Sequence, residues 1–193
     1  AGHAAFVTGS SMGVGREIAL AMARCGARVV LHGLLEDQAL QESVDALNEV
    51  QDDTKFVIGD LTGPLPDSVQ AIFDTAIQLQ PGLDILVNNA GTYSENEFLE
   101  MDFETFDRTM KLNVYSHFFM TQVFAKHWVA NGTQGRVLMT GSINGRLAEQ
   151  THAAYDTSKG AVEMMVRSLC VTLAPHGIRV NGMAPGLVRT PLT

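Results

Sequence analysis

Short, β-rich apolar runs alternate with longer helical patterns from one end of the chain to the other, and few folds accept that alternation. Strands are expected near Ala5 to Thr8, Arg28 to Leu31, Lys55 to Ile58, Asp84 to Val87, Arg136 to Thr140 and Ile178 to Asn181. Helices are expected over about Gly13 to Cys25, Glu36 to Val50, Asp67 to Leu79, Phe103 to Ala130 and Tyr155 to Ala174. The first should stop at Gly26, a residue suited to a left-handed cap, and the last at Pro175 and Gly177. Strand followed by helix, repeated, predicts a doubly wound parallel sheet with helices on both faces, a three-layer α/β fold. No repeat, low-complexity tract or linker divides the 193 residues, so one domain is expected over 1–193. That length buries roughly 70% of the surface exposed by the unfolded chain.

Composition narrows the partners. Twenty-one acidic against 13 basic residues give a formal net charge of -8, with no Lys or Arg cluster, so nucleic acid is a poor partner. No apolar run approaches the ~18 residues that span a bilayer, and the start lacks the basic and apolar regions of a signal peptide. No membrane partner and a cytoplasmic location are expected. Cys25 and Cys170 show no C-x-x-C or His-rich metal spacing, so both are expected as core thiols and no metal site is expected.

Tyr155 and Lys159 stand four positions apart, which on a helix sets a phenol and an ammonium on one face. A free phenol titrates near pH ~10 and is a poor base in neutral water, whereas a neighbouring positive charge favours phenolate. The pair therefore points to an enzyme that uses a tyrosine for proton exchange, with Ser142 thirteen positions upstream. The turn Thr8-Gly9-Ser10-Ser11-Met12-Gly13-Val14-Gly15 follows the first strand and opens the first helix, a setting in which glycines let backbone amides approach a pyrophosphate. Ile18 occupies the third glycine position of G-x-G-x-x-G, and no Walker-type Gly-Lys-Ser/Thr follows. A tight strand-to-helix connection would explain the turn equally well.

Together with Asn88-Asn89-Ala90-Gly91, Asn113 and Pro185-Gly186 ending in Thr190, these motifs resemble the short-chain dehydrogenase/reductase family, in its order and over nearly the whole chain. The resemblance implies a Rossmann-type sheet and an NAD(P)-dependent oxidoreductase that interconverts a secondary alcohol and a carbonyl. It implies that Gly9, Gly13 and Gly15 cradle the cofactor pyrophosphate, with Ser11 and Val14 in the same turn. Asp60, followed by Leu61, would receive the adenine amino group, while Asn89, Ala90 and Gly91 line the adenosine side. Pro185, Gly186, Val188 and Thr190 would approach the nicotinamide. Tyr155 would be the acid in reduction and the base in oxidation, and Ser142 would hold and polarise the reacting oxygen. Lys159 would lower the tyrosine pKa and bind the nicotinamide ribose, and Asn113 would anchor a water relay from Lys159. The helices Phe103 to Ala130 and Tyr155 to Ala174 resemble the family's subunit contact, so a homodimer or homotetramer is expected. Taken singly, Ser142 is a strand-end hydroxyl, Asn113 a helix residue bonded to backbone, and Asn88 to Gly91 a turn.

The family's usual NAD-binding acid falls on Gly33, and the basic marks of NADP users on Leu34 and Met12. Glu36 and Asp37 would oppose a 2′-phosphate if they faced it, or else are acids of a helix first turn. NAD or NADP is expected, with a lean to NAD. Ile143 to His152 should border the substrate pocket; His152 and Glu149 there either contact a polar small-molecule substrate or are solvated loop residues. His32, His117, His127 and His176 are expected at the surface or in helices. Family members usually continue through a lid, a helix and a final strand, so an incomplete chain is expected beyond Thr193. A redox-sensing module without turnover is the main rival. A serine hydrolase lacks the G-x-S-x-G elbow around Ser142, and an extended-type epimerase usually has another glycine spacing and a larger substrate domain.

Overall fold

The computed structural model describes residues 2–190; Ala1 and residues 191–193, with the chain end on which the expectation of incompleteness turned, lie outside the described residues. Strands β1 (Ala4–Val7), β2 (Arg28–Gly33), β3 (Lys55–Ile58), β4 (Ile85–Asn88), β5 (Arg136–Thr140) and β6 (Arg179–Met183) form one sheet in the order β3-β2-β1-β4-β5-β6. Every neighbouring pair is parallel. The helices are α1 (Gly13–Arg24), α2 (Gln38–Asn48), α3 (Asp67–Leu79), α4 (Phe103–Met110), α5 (Ser116–Ala130) and α6 (Ala153–Leu173). This is the three-layer α/β arrangement that the alternation predicts, displaced by a residue or two at most ends.

The two-residue period of a strand makes two cores. In β1, Ala4 and Phe6 face one layer, with Phe73 of α3 and Phe124 and Trp128 of α5; Ala5 and Val7 face the other, with Leu20 of α1 and Leu40 and Leu47 of α2. Covered on both faces, the strand is apolar without alternation. Trp128 is fully buried, and its Nε1 donates to the Leu83 carbonyl at 2.7 Å, so its one polar group is satisfied. Gly26, at φ +83°, turns the chain out of α1 as its sequence position suggests.

Four expectations change. The long helix over 103–130 is interrupted by a π-helical turn, Lys111–Tyr115. The wider turn rotates Asn113 into the interior, where it is fully buried. Cys25 and Cys170 are both exposed: Cys25 caps the end of α1, and Cys170 lies on a face of α6 away from its buried Val162 and Met165. His32 is neither a surface nor a helix residue but sits buried in β2. Asp37 precedes α2 as its N-cap, its carboxylate accepting from Leu40 N at 2.9 Å, so Glu36 and Asp37 lie outside the first turn.

Candidate active site

β1 and β4 are neighbours, yet their chains leave toward opposite sides of the sheet, so the loops at their carboxyl ends part and open a crevice. A cleft of about 410 Å³ lies there. It is lined by Gly9, Ser11, Gly13, Val14 and Gly15 after β1, by Asp60 and Leu61 after β3, and by Asn89, Ala90 and Gly91 after β4. Ser142, Tyr155, Lys159, Pro185, Gly186, Val188 and Thr190 line it as well. Every residue expected at the site except Asn113 is thus on the cleft wall, and Asn113 stands directly behind it.

The glycine turn is held by its neighbours. Asn89 Nδ2 donates to the carbonyls of Thr8 (3.1 Å) and Gly9 (3.0 Å), while Thr8 Oγ1 accepts from the amides of Asn89 and Ala90. Gly9 has φ +60°, and a Cβ there would lie 2.7 Å from Ala90 Cα. A Cβ on Gly15 would lie 2.2 Å from the Gly9 carbonyl oxygen. Only glycine fits at either place. α1 begins beside this turn with Met12 as an N-cap that makes no side-chain bond and with no acid in its first turn. Its amide dipoles point into the cleft uncompensated by the chain, which fits a pyrophosphate.

At the other end, α6 sets Tyr155 and Lys159 on one face, with Lys159 Nζ 5.6 Å from the Tyr155 ring centre. Lys159 is buried, and Nζ donates to the Thr140 carbonyl at 2.9 Å. Burial lowers its pKa from 10.5 to about 8, which leaves it mostly charged at neutral pH. The tyrosine departs from the simple charge argument. Burial raises the Tyr155 pKa, a hydrogen bond with Ser142 opposes the rise, and Asp156 and Glu149 add to it. Among the chain's own groups it is Ser142 that lowers the phenol. Ser142 Oγ also accepts from Asn144 N at 3.2 Å, which fixes the hydroxyl at the end of β5.

Asn113 Oδ1 accepts from Thr92 N at 2.8 Å, and its Nδ2 donates to Thr92 O (3.0 Å) and Ser158 Oγ (2.9 Å). Gly91 separates this amide from the cation: a Cβ on Gly91 would lie 3.2 Å from Asn113 Oδ1 and 3.8 Å from Lys159 Nζ.

Several site residues escaped the sequence. His32 lines the cleft, its Nδ1 accepting from Gly9 N at 3.1 Å and its Nε2 facing Gly59 O at 3.2 Å; burial lowers its pKa to about 4. Met12, Leu34, Thr92, Arg108, Leu112 and Thr140 also line the cleft. Tyr93 packs edge-on against Tyr155, with ring centres 5.2 Å apart. Its only sequence signal is its place two residues after Gly91. His152 is not a solvated loop residue but is buried against Tyr93. Among the described residues no group of three or more His, Cys, Asp or Glu could hold a metal ion.

The sequence model of the short chain dehydrogenase family matches residues 3–193. The chain belongs to that family. A glucose 1-dehydrogenase of Gluconobacter oxydans is 32% identical over 194 residues, covering 100% of this chain and 71% of its own. An L-rhamnose 1-dehydrogenase (NADP(+)) of Thermoplasma acidophilum is 31% identical, over 99% of this chain and 74% of its own. The crystal structure of a short-chain type dehydrogenase/reductase from Mycobacterium marinum superposes with a TM-score of 0.94 at 36% identity, covering 100% of this chain and 75% of its own. The chain spans between 66% and 76% of the length of the relatives and structures it matches. Family membership brings NAD(P)-dependent oxidoreductase chemistry at alcohol and ketone carbons with a small-molecule substrate, and the redox-sensor alternative finds no support.

Proposed function

We propose that this short-chain dehydrogenase, one NAD(P)-binding domain over 1–193, interconverts a secondary alcohol and its carbonyl with Tyr155 as the acid and base. One observation carries the reading: Ser142, Tyr155 and Lys159 line the same cleft as the glycine turn that opens α1. The nicotinamide, when bound, supplies or accepts the hydride. Tyr155 gives its proton to the substrate oxygen in reduction and takes it back in oxidation. Ser142 holds that oxygen and shares its hydrogen bond with Tyr155. Lys159, fixed on Thr140, supplies a charge that favours phenolate as the proton leaves and a donor for the nicotinamide ribose. Asn113 holds the π turn against Thr92 and Ser158 beside Lys159, a place suited to anchoring a water relay.

Gly9, Ser11, Gly13, Val14 and Gly15 hold the pyrophosphate in this reading; Asp60, Leu61, Asn89, Ala90 and Gly91 take the adenosine, and Pro185, Gly186, Val188 and Thr190 the nicotinamide. Ser11, Met12, His32 and Leu34 meet at the end of β2 with no cation among them, which supports the lean to NAD. A homodimer or homotetramer is supported by Phe118 and Val129 of α5 and Val171 of α6, which are exposed although apolar. The two free cysteines agree with a reducing compartment, and the reading keeps the cytoplasmic location. Among the described residues no helix is long and apolar enough to cross a membrane.

The test is a panel of alcohols and ketones followed by nicotinamide absorbance with both cofactors. Tyr155→Phe should lose at least ~100-fold in turnover while binding NAD(H) as before. Cofactor binding without any Tyr155-dependent absorbance change would overturn the reading.

A further inference from the structure

Beside Tyr155 lies a second polar assembly that hydride transfer leaves unused. Tyr93 Oη donates to Glu95 Oε1 at 2.7 Å and lies 2.5 Å from His152 Nε2. A phenol has one proton, and with Glu95 accepting it, Nε2–H of His152 must be the donor in the second bond. The other ring nitrogen, Nδ1, is buried without a well-directed hydrogen bond, although Glu149 Oε2 lies 3.0 Å away. His152 is 7% exposed, whereas the side chains of Glu95 and Glu149 are 63% and 56% exposed. The assembly thus has a buried polar base, an aromatic hydroxyl against the catalytic ring, and a rim carrying two negative charges. Thr151, at φ +67°, and its carbonyl, which accepts from Asn96 N at 2.8 Å, join the two loops that carry it. The Tyr93 hydroxyl is pushed up to about 12, chiefly by its bond to Glu95, so it stays a neutral hydrogen-bonding group at working pH.

We infer that Tyr93 and His152, rimmed by Glu95 and Glu149, form a specificity-determining subsite that selects neutral substrates carrying a further hydroxyl near the reacting carbon and turns away substrates carrying a carboxylate. The inference rests on the dehydrogenase reading of the same site. With its proton turned to Glu95 and one lone pair facing His152, the Tyr93 oxygen keeps a lone pair that accepts from a substrate hydroxyl, a bond that a carboxylate has no proton to make. A carboxylate approaching Glu95 and Glu149 meets two like charges, and of the two cations on the cleft wall, Lys159 and Arg108, the one beside Tyr155 is buried and held by Thr140.

Three four-carbon secondary alcohols separate the contributions: 2-butanol has no further polar group, 2,3-butanediol has a hydroxyl and 3-hydroxybutyrate has a carboxylate. With NAD, kcat/KM should rank diol above butanol above hydroxybutyrate. Tyr93→Phe, which keeps the ring against Tyr155, should lower the diol-to-butanol ratio by roughly fivefold. The double variant Glu95→Gln, Glu149→Gln should raise the hydroxybutyrate-to-butanol ratio by about tenfold at low salt and less at high salt. A merely structural role would move all three rates together. Ratios equal to wild type in both variants overturn the inference while Tyr155-dependent turnover leaves the dehydrogenase standing; turnover indifferent to Tyr155→Phe defeats the dehydrogenase instead. Should none of the three be turned over, the same ranking is read from their thermal protection of the NAD-loaded protein, and equal protection by diol and hydroxybutyrate overturns the inference.

Discussion

Asn113 and Ser158 join the π turn to α6 through a 2.9 Å hydrogen bond from Nδ2 to Oγ, and Ser158 in turn donates to the Tyr155 carbonyl at 2.7 Å. Three residues thereby share one chain of bonds that begins in the loop after β4, where Asn113 also grips both backbone groups of Thr92. Asn113→Ala would leave the part-buried amide and carbonyl of Thr92 and the buried Ser158 hydroxyl without these partners. The expected cost is roughly 2–4 kcal/mol in urea unfolding, with a fall in kcat that exceeds any change in KM. Asn113→Asp should be nearly as damaging, because its carboxylate cannot donate to Ser158 or Thr92 O. A wild-type kcat in the alanine variant would remove the positioning role.

Gly15→Ala tests the turn. The added methyl carbon would lie 2.2 Å from the Gly9 oxygen and 2.4 Å from Asn89 Nδ2, and neither is a flexible chain end. The turn must shift, so NAD affinity should fall at least ~10-fold by fluorescence titration even if the fold survives. Gly132→Ala, at φ +64° in open space far from the cleft, is the control. It should cost only about 1 kcal/mol of stability and leave NAD affinity untouched.

Much of this was legible because the informative spacings are local. Four residues on a helix bring Lys159 under Tyr155 whatever surrounds them, and glycines between a strand and a helix report a turn that side chains cannot enter. The parts that were not legible depend on contacts across the chain. His32 reads as an ordinary polar residue until β1 and β3 deliver Gly9 and Gly59 to its two nitrogens. The Tyr93–His152 pair spans 59 positions, so no local pattern announces it. Cysteine's apolar character suggested burial, but helix face decides, and Cys170 falls on the outer face of α6. The rise in the Tyr155 pKa escaped the charge argument because burial, the larger cause, cannot be read from a spacing of four.

Acid should unfold the protein through its buried histidines. Burial lowers His32 to about 4 and, with Lys159 adding to the effect, His117 to about 3. Below pH ~6.5 the unfolded chain takes up these protons and the folded chain does not, so the unfolded state binds more protons and stability falls as pH falls. The loss should run at about 1.4 kcal/mol per pH unit for each histidine, from ~6.5 down to about 4 for His32 and about 3 for His117. His117→Gln should remove one share of that slope in urea titrations between pH 6.5 and 5. An unchanged slope would show that His117 keeps its proton when folded.

Lys159→Met separates what the cation does for chemistry from what it costs the fold. Methionine fills the space of the lysine stem, but it cannot donate to Thr140 or favour phenolate, so kcat/KM should fall ~100-fold or more. Stability should respond in the opposite sense. The folded pKa of about 8 lies below the unfolded 10.5, so between those values the unfolded state holds a proton that the folded state has released. The unfolded state then binds more protons, and wild-type stability gains about 1.4 kcal/mol per pH unit from this group as pH rises from 8 toward 10.5. Lys159→Met lacks that gain, so it should equal or exceed the wild type in stability at pH 7 and lose ground to it above pH 8, as read by urea titrations at pH 7, 8 and 9.5. A difference between the two proteins that stays constant with pH would mean that Lys159 titrates as it does in water, with its bond to Thr140 offsetting the effect of burial.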